Sequence, residues 1–296
     1  MKADDIRETK GVIFDIQRGS AVDGPGIRTT VFFKGCNLSC AWCHNPESRE
    51  MQPQMLFYRE KCTDCGTCRS VCPQKGEACV LCGKCTVFCP NDAKSICGKT
   101  VTAGEVFREI LRDVPYYEST GGGATFSGGE SLLQPDFLLA LLKLCRENGI
   151  SAAVDTAGNV PYETLRQVLP YTDLFLYDIK AVTPALHKTY TGVSNERILS
   201  NYKRLFSDGA RLLVRIPMVA EVNANDGEFP EILRFLKAFP PKKIELLPYH
   251  ALGTNKYKAL YQTDAPVFHA PDAALLERYR READAVCAVH AEDTEK

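Results

Sequence analysis

The sequence predicts an α/β fold in which a parallel sheet is interrupted by a small cysteine-rich segment. Two observations carry this prediction. Short runs rich in Val, Ile, Leu, Phe and Tyr alternate with stretches whose apolar residues repeat at helical spacing, as expected for βα units. Several of the runs are almost continuously apolar, which is typical of parallel strands buried on both faces. The runs cover residues 29–34, 124–127, 151–155, 174–180, 211–216 and 243–247.

Helices are expected where apolar side chains recur every three or four residues. Such stripes cover residues 106–111, 137–145, 232–239 and 275–290. Six strand–helix units are too few for a closed eight-unit barrel. The pattern therefore fits either a partial barrel or an open sheet.

The composition excludes several classes of protein. With 296 residues, of which 45% are hydrophobic and 25% charged, the chain has enough apolar residues for one large domain and a small one, or for two modest domains. Its net charge of -1 offers no excess of basic residues, so no nucleic-acid partner is expected. Residues 1–10 contain no apolar signal segment, and the most apolar stretch is too short to span a membrane. A cytoplasmic location, with no membrane partner, is therefore expected.

Cysteine is unusually abundant and clustered. The chain has 14 cysteines, and only Cys145 and Cys287 lie outside the segment from Cys36 to Cys97. In a cytosolic protein thiols stay reduced, so clustered cysteines indicate metal binding more often than disulfides. Cys145 and Cys287 fall on apolar helical stripes and are expected to be core residues.

Between residues 51 and 99 the apolar periodicity disappears. This segment is expected to form a small inserted domain that divides a larger one into residues 1–50 and 100–296.

Two cysteine runs in the insert have the spacing C-x2-C-x2-C-x3-C-P of bacterial ferredoxins with two [4Fe–4S] clusters, and zinc is the less favoured alternative. Cys97 lies outside both runs and is expected to be a buried or free thiol. In such pairs the fourth cysteine of each run binds the other cluster. The two predicted ligand sets are Cys62, Cys65, Cys68 and Cys89, and Cys72, Cys79, Cys82 and Cys85.

Three further cysteines follow the first predicted strand directly. Cys36, Cys40 and Cys43 have the spacing C-x3-C-x2-C. Three thiolates on a cubane iron–sulfur cluster leave one iron without a protein ligand, and that iron can bind a substrate or a cofactor. The alternative is a structural zinc site whose fourth ligand lies elsewhere, for example at His44.

This loop resembles the signature of the radical S-adenosylmethionine (SAM) enzymes. The resemblance implies that Cys36, Cys40 and Cys43 hold a [4Fe–4S] cluster whose open iron binds the amino and carboxylate groups of SAM. Trp42 is then expected to pack near the adenine. One electron from the reduced cluster would cleave a C–S bond of SAM, giving methionine and a 5′-deoxyadenosyl radical that abstracts a hydrogen atom.

A second segment makes the resemblance more specific. Residues 22–28, with the sequence VDGPGIR, and residues 31–36, with the sequence VFFKGC, resemble the opening of the glycyl-radical-enzyme activating enzymes. Taken alone, the glycines and the proline indicate only turns. The resemblance extends over nearly the whole chain. It implies a partial (β/α)6 TIM-like barrel with a small inserted two-[4Fe–4S] ferredoxin-like domain, and hence three [4Fe–4S] clusters and SAM. The implied reaction removes a hydrogen atom from one glycine of a large partner enzyme.

The insert separates this chain from the activase of pyruvate formate-lyase, which lacks one. The resemblance is therefore to the activases of glycyl radical dehydratases, decarboxylases and lyases, whose partners act on glycerol or propanediol, choline, hydroxyproline, isethionate or hydroxyphenylacetate. A flavodoxin or a ferredoxin-type protein is the expected reductant. Two roles are open for the added clusters, passing electrons inward or shaping the surface that meets the partner.

The same resemblance assigns roles to residues near the ends of the predicted strands. Without it, each has a plainer explanation: turns for the glycines, a surface ion pair for an acid and a lysine two residues apart, and structural packing for a lone histidine. Asp23 is expected to contact the glycine-bearing loop of the partner, and Lys180 joins the three loop cysteines in the expected catalytic set. The residues expected to bind SAM are Gly128, Gly129 and Glu130 for its amino group, Asp155, Asp178 and Lys180 for its orientation, Arg215 for its carboxylate and His250 for its ribose or adenine.

Two other functions fit parts of the sequence. A radical SAM enzyme with a small-molecule substrate bound to an added cluster would need an open ligand position there, whereas all eight insert cysteines are present. An electron-transfer protein would explain the insert but would leave the three-cysteine loop and the six βα units without a role. Activation of a glycyl radical enzyme uses all of these features.

Overall fold

The main element of the protein is an eight-stranded sheet. The computed structural model describes residues 6–75 and 78–293, with side chains described up to residue 287. The strands are β1 (Lys10–Ser20), β2 (Arg28–Phe33), β3 (Gln54–Phe57), β4 (Lys94–Cys97), β5 (Lys99–Thr102), β6 (Gly123–Gly128), β7 (Ser151–Thr156), β8 (Leu174–Asp178), β9 (Leu212–Met218) and β10 (Lys243–Pro248). In the main sheet they lie in the order β10-β9-β8-β7-β6-β2-β1-β5, and a separate two-stranded sheet pairs β3 with β4.

Six of these strands are the six predicted from the sequence. β2 and β6 to β10 are parallel neighbours in chain order, so the predicted parallel α/β sheet is confirmed. The sheet also contains two strands that were not predicted, since β1 pairs antiparallel with β2 and β5 pairs antiparallel with β1. β1 mixes buried and exposed residues and lacks the continuous apolar run that marks the other strands. In the described part of the chain, the sheet stays open between β10 and β5.

Helices cover the sheet and agree with the predicted stripes. The stripes lie in the helices Ala103–Leu111, Pro135–Glu147, Phe229–Ala238 and Ala273–Asp293, except that Phe239 follows the third helix and His290 falls outside the described side chains. Among the described residues, no helix has the length and apolar character needed to cross a membrane. The helices are α1 (Thr67–Ser70), α2 (Lys84–Val87), α3 (Ala103–Leu111), α4 (Val114–Thr120), α5 (Pro135–Glu147), α6 (Tyr162–Val168), α7 (Pro184–Thr191), α8 (Glu196–Ser207), α9 (Phe229–Ala238), α10 (Thr254–Tyr261) and α11 (Ala273–Asp293).

The core between the sheet and α5 fixes the end of β2. The ring of Phe33 contacts those of Phe126 and Phe137, with centroids 6.2 and 5.3 Å apart. Burial of one such side chain contributes about 2–3 kcal/mol, so the strand end is firmly held. Cys145 is fully buried on α5, as predicted. Leu111, predicted to face the core, is 39% exposed because α3 ends there.

The cysteine-rich segment lies outside the main sheet. β3 and β4 form its base, and the short helices α1 and α2 follow the second cysteine of each run. The two runs have the same backbone conformation at equivalent positions: φ is 54° at Asp64 and 52° at Leu81, and 78° at Gly66 and 76° at Gly83. The repeat in the sequence is therefore also a repeat in the structure. Lys99, which the sequence analysis placed in the insert, begins β5 of the main sheet.

Candidate active site

The three-cysteine loop begins where β2 ends. Gly35 has a φ of 91°, a conformation that favours glycine, and the chain turns out of the sheet there. Backbone hydrogen bonds hold the loop on both sides. The Cys36 N–H donates to the Arg49 carbonyl at 2.9 Å, and the Ala41 N–H donates to the Tyr190 carbonyl at 2.9 Å. The loop is thus fixed between the segment that follows it and the end of α7.

The thiols of Cys36, Cys40 and Cys43 are unpaired and lie in one apolar cluster with Trp42. The pKa of Cys36 is raised to about 12 and that of Cys40 to about 11, in both cases mainly by burial, with a smaller contribution from the neighbouring thiols. Bare thiols at this place would stay protonated, so a bound metal would have to displace their protons. Within the described residues, no three His, Cys, Asp or Glu side chains are arranged to hold a single metal ion. Soft thiol donors in this setting suit an iron–sulfur cluster.

Asp178 and Lys180 meet at the carboxyl end of β8, where ligands bind in parallel sheets. Lys180 Nζ donates to Asp178 Oδ2 at 2.6 Å, and the two side chains are only 10% and 23% exposed. The structure therefore does not support the alternative of a surface ion pair. Burial would lower the pKa of Lys180, but the neighbouring Asp178 carboxylate raises it well above its usual value. Lys180 thus stays charged beside the three-cysteine loop.

Arg215 of β9 is surrounded by carboxylates. Its buried guanidinium lies 3.4 Å from Asp155, 3.8 Å from Asp23 and 3.6 Å from Glu245. It also donates to the backbone carbonyl of Val22. Burial opposes its charge, but the carboxylates, Asp155 first, raise its pKa above the ordinary value. The structure thus brings the predicted residues Asp23, Asp155 and Arg215 together, and it adds Glu245, which was not predicted as a site residue.

Neighbouring strands position the two predicted carboxylates. The Ser127 hydroxyl of β6 donates to Asp155 at 2.6 Å, and the Thr30 hydroxyl of β2 donates to Asp23 at 2.8 Å. Burial raises the pKa of Asp155 to about 6, and the charge of Arg215 opposes this rise. Both carboxylates are therefore held by hydroxyl groups of neighbouring strands.

Gly128 and Gly129 lie against the strand and loop that carry the cysteines. A Cβ on Gly128 would lie 2.4 Å from the backbone nitrogen of Phe33, and one on Gly129 would lie 2.2 Å from the carbonyl oxygen of Gly35. No side chain can approach so closely without displacing the backbone. The glycines are therefore required where β6 meets the start of the three-cysteine loop.

The carboxylate of Glu130 accepts hydrogen bonds from other groups of the protein. It is fully buried and accepts hydrogen bonds from the Thr156 hydroxyl at 2.8 Å and from the Ala157 N–H at 3.1 Å. Burial raises its pKa to about 7. These hydrogen bonds tie the segment after β6 to the end of β7.

The predicted aromatic contacts lie on the other side of the loop. Trp42 is buried and packs against Tyr190 and Phe268, with ring centroids 6.2 and 6.1 Å apart. His250, just after β10, stacks on His44 with ring centroids 3.8 Å apart. Burial lowers the pKa of His44 to about 4, so the stacked ring stays neutral. His44 and His250 therefore form a pair that the sequence did not predict.

The insert cysteines are also unpaired. The pKa of Cys85 is raised by burial and, further, by the neighbouring thiols of Cys79 and Cys68. Cys79 belongs to the same predicted ligand set as Cys85 and Cys68 to the other, so the two sets lie close together. Cys97 is buried with Leu56, which confirms the prediction of a buried thiol outside the sets.

Helix α10 was not predicted, and it contacts the segment that follows the cysteines. Lys256 donates to the Asn45 side chain at 2.8 Å and pairs with Glu47, while the Tyr257 hydroxyl accepts a hydrogen bond from Arg49 at 2.8 Å. Arg49 follows the three cysteines closely in the sequence, and this closeness could have marked it as a candidate site residue. Nothing in the sequence links residues 256 and 257 to them.

Comparison with known proteins decides the family. A family model described as a 4Fe-4S single cluster domain matches residues 22–198. The trans-4-hydroxy-L-proline dehydratase activating enzyme of Clostridioides difficile is 40% identical over 286 residues, which cover 91% of this chain and 95% of that protein. The choline trimethylamine-lyase activating enzyme of Oleidesulfovibrio alaskensis is 40% identical over 86% of this chain and 88% of its own. This chain belongs to the glycyl-radical-enzyme activating enzymes.

The fold of this activating enzyme is also found among solved structures. A radical SAM methyltransferase from Sphaerobacter thermophilus matches with a TM-score of 0.56 and 15% identity, covering 88% of this chain and 64% of that one. At this identity the likeness concerns the fold alone. It agrees with the parallel sheet that carries the three-cysteine loop at the end of β2.

Proposed function

We propose that this protein activates a glycyl radical enzyme by removing a hydrogen atom from one of its glycines, with SAM and a [4Fe–4S] cluster held by Cys36, Cys40 and Cys43. The observation that carries the proposal is the three unpaired thiols beside Lys180, at the carboxyl ends of parallel strands in an activating-enzyme chain. Thiolates suit iron–sulfur clusters, and three of them leave one iron available to SAM.

When bound, the cluster and SAM supply one-electron cleavage of a carbon–sulfur bond and a 5′-deoxyadenosyl radical. The chain supplies the charges that orient SAM. Lys180 and Arg215 are buried cations suited to its carboxylate, and Asp155 and Asp178 are carboxylates suited to its ammonium and hydroxyl groups. The low exposure of these side chains supports a site that excludes water, which a reactive radical requires.

The remaining SAM contacts are assigned by position. The backbone at Gly128 and Gly129 is proposed for the amino group, because the Glu130 carboxylate is engaged by the protein. Trp42 and His250 are proposed to contact the adenine and the ribose of SAM. Their support is the aromatic contacts that place both rings next to the three-cysteine loop.

Two further [4Fe–4S] clusters are proposed in the insert, which makes three in the protein. The support is the repeated backbone of the two cysteine runs and the absence of disulfides among their thiols, all of which are described. On this proposal residues 51–99 form the ferredoxin-like domain, and residues 1–50 and 100–296 form a partial (β/α)6 barrel. The ligand sets are Cys62, Cys65, Cys68 and Cys89, and Cys72, Cys79, Cys82 and Cys85.

The proposed partner is a large glycyl radical dehydratase, lyase or decarboxylase. Its support is that the relatives are named as activating enzymes of such enzymes. Asp23 is proposed to contact the glycine-bearing loop of the partner, since it lies beside Arg215 in the segment between β1 and β2. A flavodoxin or a ferredoxin-type protein is the proposed reductant.

The test is SAM cleavage by the full-length protein after anaerobic cluster reconstitution, with dithionite as the reductant. Wild type and Cys97→Ser, a buried cysteine outside the ligand sets, are expected to form 5′-deoxyadenosine. Cys36→Ser, Cys40→Ser and Cys43→Ser are each expected to abolish it. Retained cleavage in all three would refute the cluster assignment, and no cleavage in wild type would favour an electron-transfer protein. A glycyl radical signal on an added partner enzyme would separate activation from small-molecule chemistry.

A further inference from the structure

Arg49 holds the three-cysteine loop at two points. Its carbonyl accepts a hydrogen bond from the Cys36 N–H at 2.9 Å, and its Nη2 donates to the Cys40 carbonyl at 2.6 Å. The same nitrogen donates to the Tyr257 hydroxyl at 2.8 Å, and the guanidinium carbon lies 5.4 Å from the centre of the Tyr257 ring. One residue therefore ties the beginning and the middle of the loop to α10.

Among the described residues, Arg49 forms no salt bridge with a carboxylate, and Glu47 pairs with Lys256 instead. Burial would lower the pKa of Arg49, but Tyr257, Cys43, Tyr261 and Cys40, in that order, raise it above its ordinary value. The other cation beside the loop, Lys180, is paired with a carboxylate at 2.6 Å. Through its hydrogen bond to the Cys40 carbonyl, Arg49 is held beside the three-cysteine loop without a carboxylate partner among the described residues. Its charge is therefore available to a cluster bound there.

We propose that Arg49 is a positioning residue that compensates the charge of the cluster held by Cys36, Cys40 and Cys43 and raises its reduction potential, while Tyr257 orients the guanidinium. This inference rests on the proposed function, because it requires a cluster at this loop. Nearby charge and hydrogen bonding set the potential of an iron–sulfur cluster. A fixed cation stabilises the reduced cluster, which carries one more negative charge. Arginine suits this role because it stays charged and its planar group can make several directed hydrogen bonds.

The test uses the anaerobically reconstituted full-length protein. The loop cluster is identified as the reduced-state EPR signal that changes when SAM is added, and its midpoint potential is measured by dye-mediated titration. Arg49→Gln is expected to lower the ratio of reduced to oxidised loop cluster at the wild-type midpoint by about tenfold, a shift of about 59 mV for one electron. Arg49→Lys and Tyr257→Phe keep the cation, so the ratio is expected to stay within about twofold of wild type.

A second measurement separates the charge from damage to the loop. Iron loss to a chelator reports how firmly the loop is held, and Arg49→Lys is expected to lose iron faster than wild type because a flexible lysine side chain cannot hold its Nζ as rigidly as the planar guanidinium holds Nη2. Arg112→Gln removes an exposed arginine paired with Glu109 and is the control for net charge. If Arg49→Gln loses the loop cluster while Arg49→Lys retains it, the need for a cation is supported.

Three results would overturn the inference. They are a wild-type midpoint in Arg49→Gln, an equal shift in Arg49→Lys or Arg112→Gln, and loss of the loop cluster in both Arg49 variants. A wild-type protein that shows no SAM-responsive signal would refute the proposed function instead. The two failures are therefore distinguishable in one set of titrations.

Discussion

Burial gives two carboxyl groups near the proposed SAM site an unusual preference for the neutral form. The pKa of Glu130 is raised to about 7 and that of Asp155 to about 6, in both cases mainly by burial. Hydrogen bonds from Thr156 and Ser127 favour the ionised forms but do not outweigh burial. A glutamate in an unfolded chain has a pKa of about 4.3, so ionisation of Glu130 near neutral pH weakens the folded state.

Glu130→Gln is expected to remove this pH dependence of stability. Because the folded-state pKa is raised, the contribution of Glu130 is fully present below about pH 4.3 and is lost as the pH rises through about 7. Across that window, the free energy of unfolding of wild type should fall by roughly 2–3 kcal/mol more than that of Glu130→Gln. Anaerobic urea unfolding at a series of pH values measures the difference.

The control for this prediction is Glu163→Gln. Glu163 is 62% exposed and paired with Arg166, so its replacement should leave the pH profile of wild type unchanged. Parallel profiles for wild type and Glu130→Gln would show that Glu130 is ionised in the folded protein throughout the window. The raised pKa would then be wrong.

At the scale of elements, α10 joins the three-cysteine loop to the insert. On one side Lys256 pairs with Glu47, whose side chain is 5% exposed. On the other side Ala259 packs with Leu56 and Cys97 at the base of the insert. A helix of eight residues therefore links two parts of the protein that the sequence analysis treated as separate.

Lys256→Met is expected to destabilise the protein by removing the cation from a buried carboxylate. Because the Lys256 side chain is 33% exposed, the expected loss is about 1–3 kcal/mol, less than for a fully buried pair. Lys258→Met is the matched control on the same helix, since its partner Asp264 is 84% exposed, and it should cost less than about 1 kcal/mol. Urea unfolding compares the two variants, and adding Glu47→Gln to Lys256→Met should restore part of the loss. Equal effects of the two lysine substitutions would contradict the role of the pair.

Most of the predictable strands are buried on both sides. β2 and β6 to β9 are covered by helices and neighbouring strands, whereas β10 lies at a sheet edge, is only partly buried and was predicted from its short apolar run. β5 lies at the sheet edge with two exposed residues, and α10 buries only Tyr257 and Ala259, so neither has a periodic signal. The same limit applies to the site. The contact of Lys180 with Asp178 follows from their spacing, whereas the approach of Arg215 to Asp23 depends on the assembled sheet.

On the scale of the whole molecule, the two groups of cysteines belong to different parts of the fold. The eight insert cysteines and their repeated turns lie within residues 62–89. The proposed SAM site instead collects residues from the segment before β2 through to the end of β10. Contact between them runs through α10 and the β3–β4 pair, where Cys97 is buried outside both ligand sets. The chemistry of the SAM site should therefore survive loss of the insert clusters.

Replacement of all eight insert cysteines by serine is expected to lower the iron content by about two thirds, because two of three four-iron clusters are lost. SAM binding, measured by equilibrium dialysis, and SAM cleavage with dithionite should persist, since no insert side chain is assigned to the site. The matched control replaces Cys36, Cys40 and Cys43, which should lower iron by about one third and abolish cleavage while the insert signals remain. The eight substituted positions are Cys62, Cys65, Cys68, Cys72, Cys79, Cys82, Cys85 and Cys89. If SAM binding disappeared together with the insert iron, the division at residues 51–99 would be wrong, and the clusters would have to be treated as one unit.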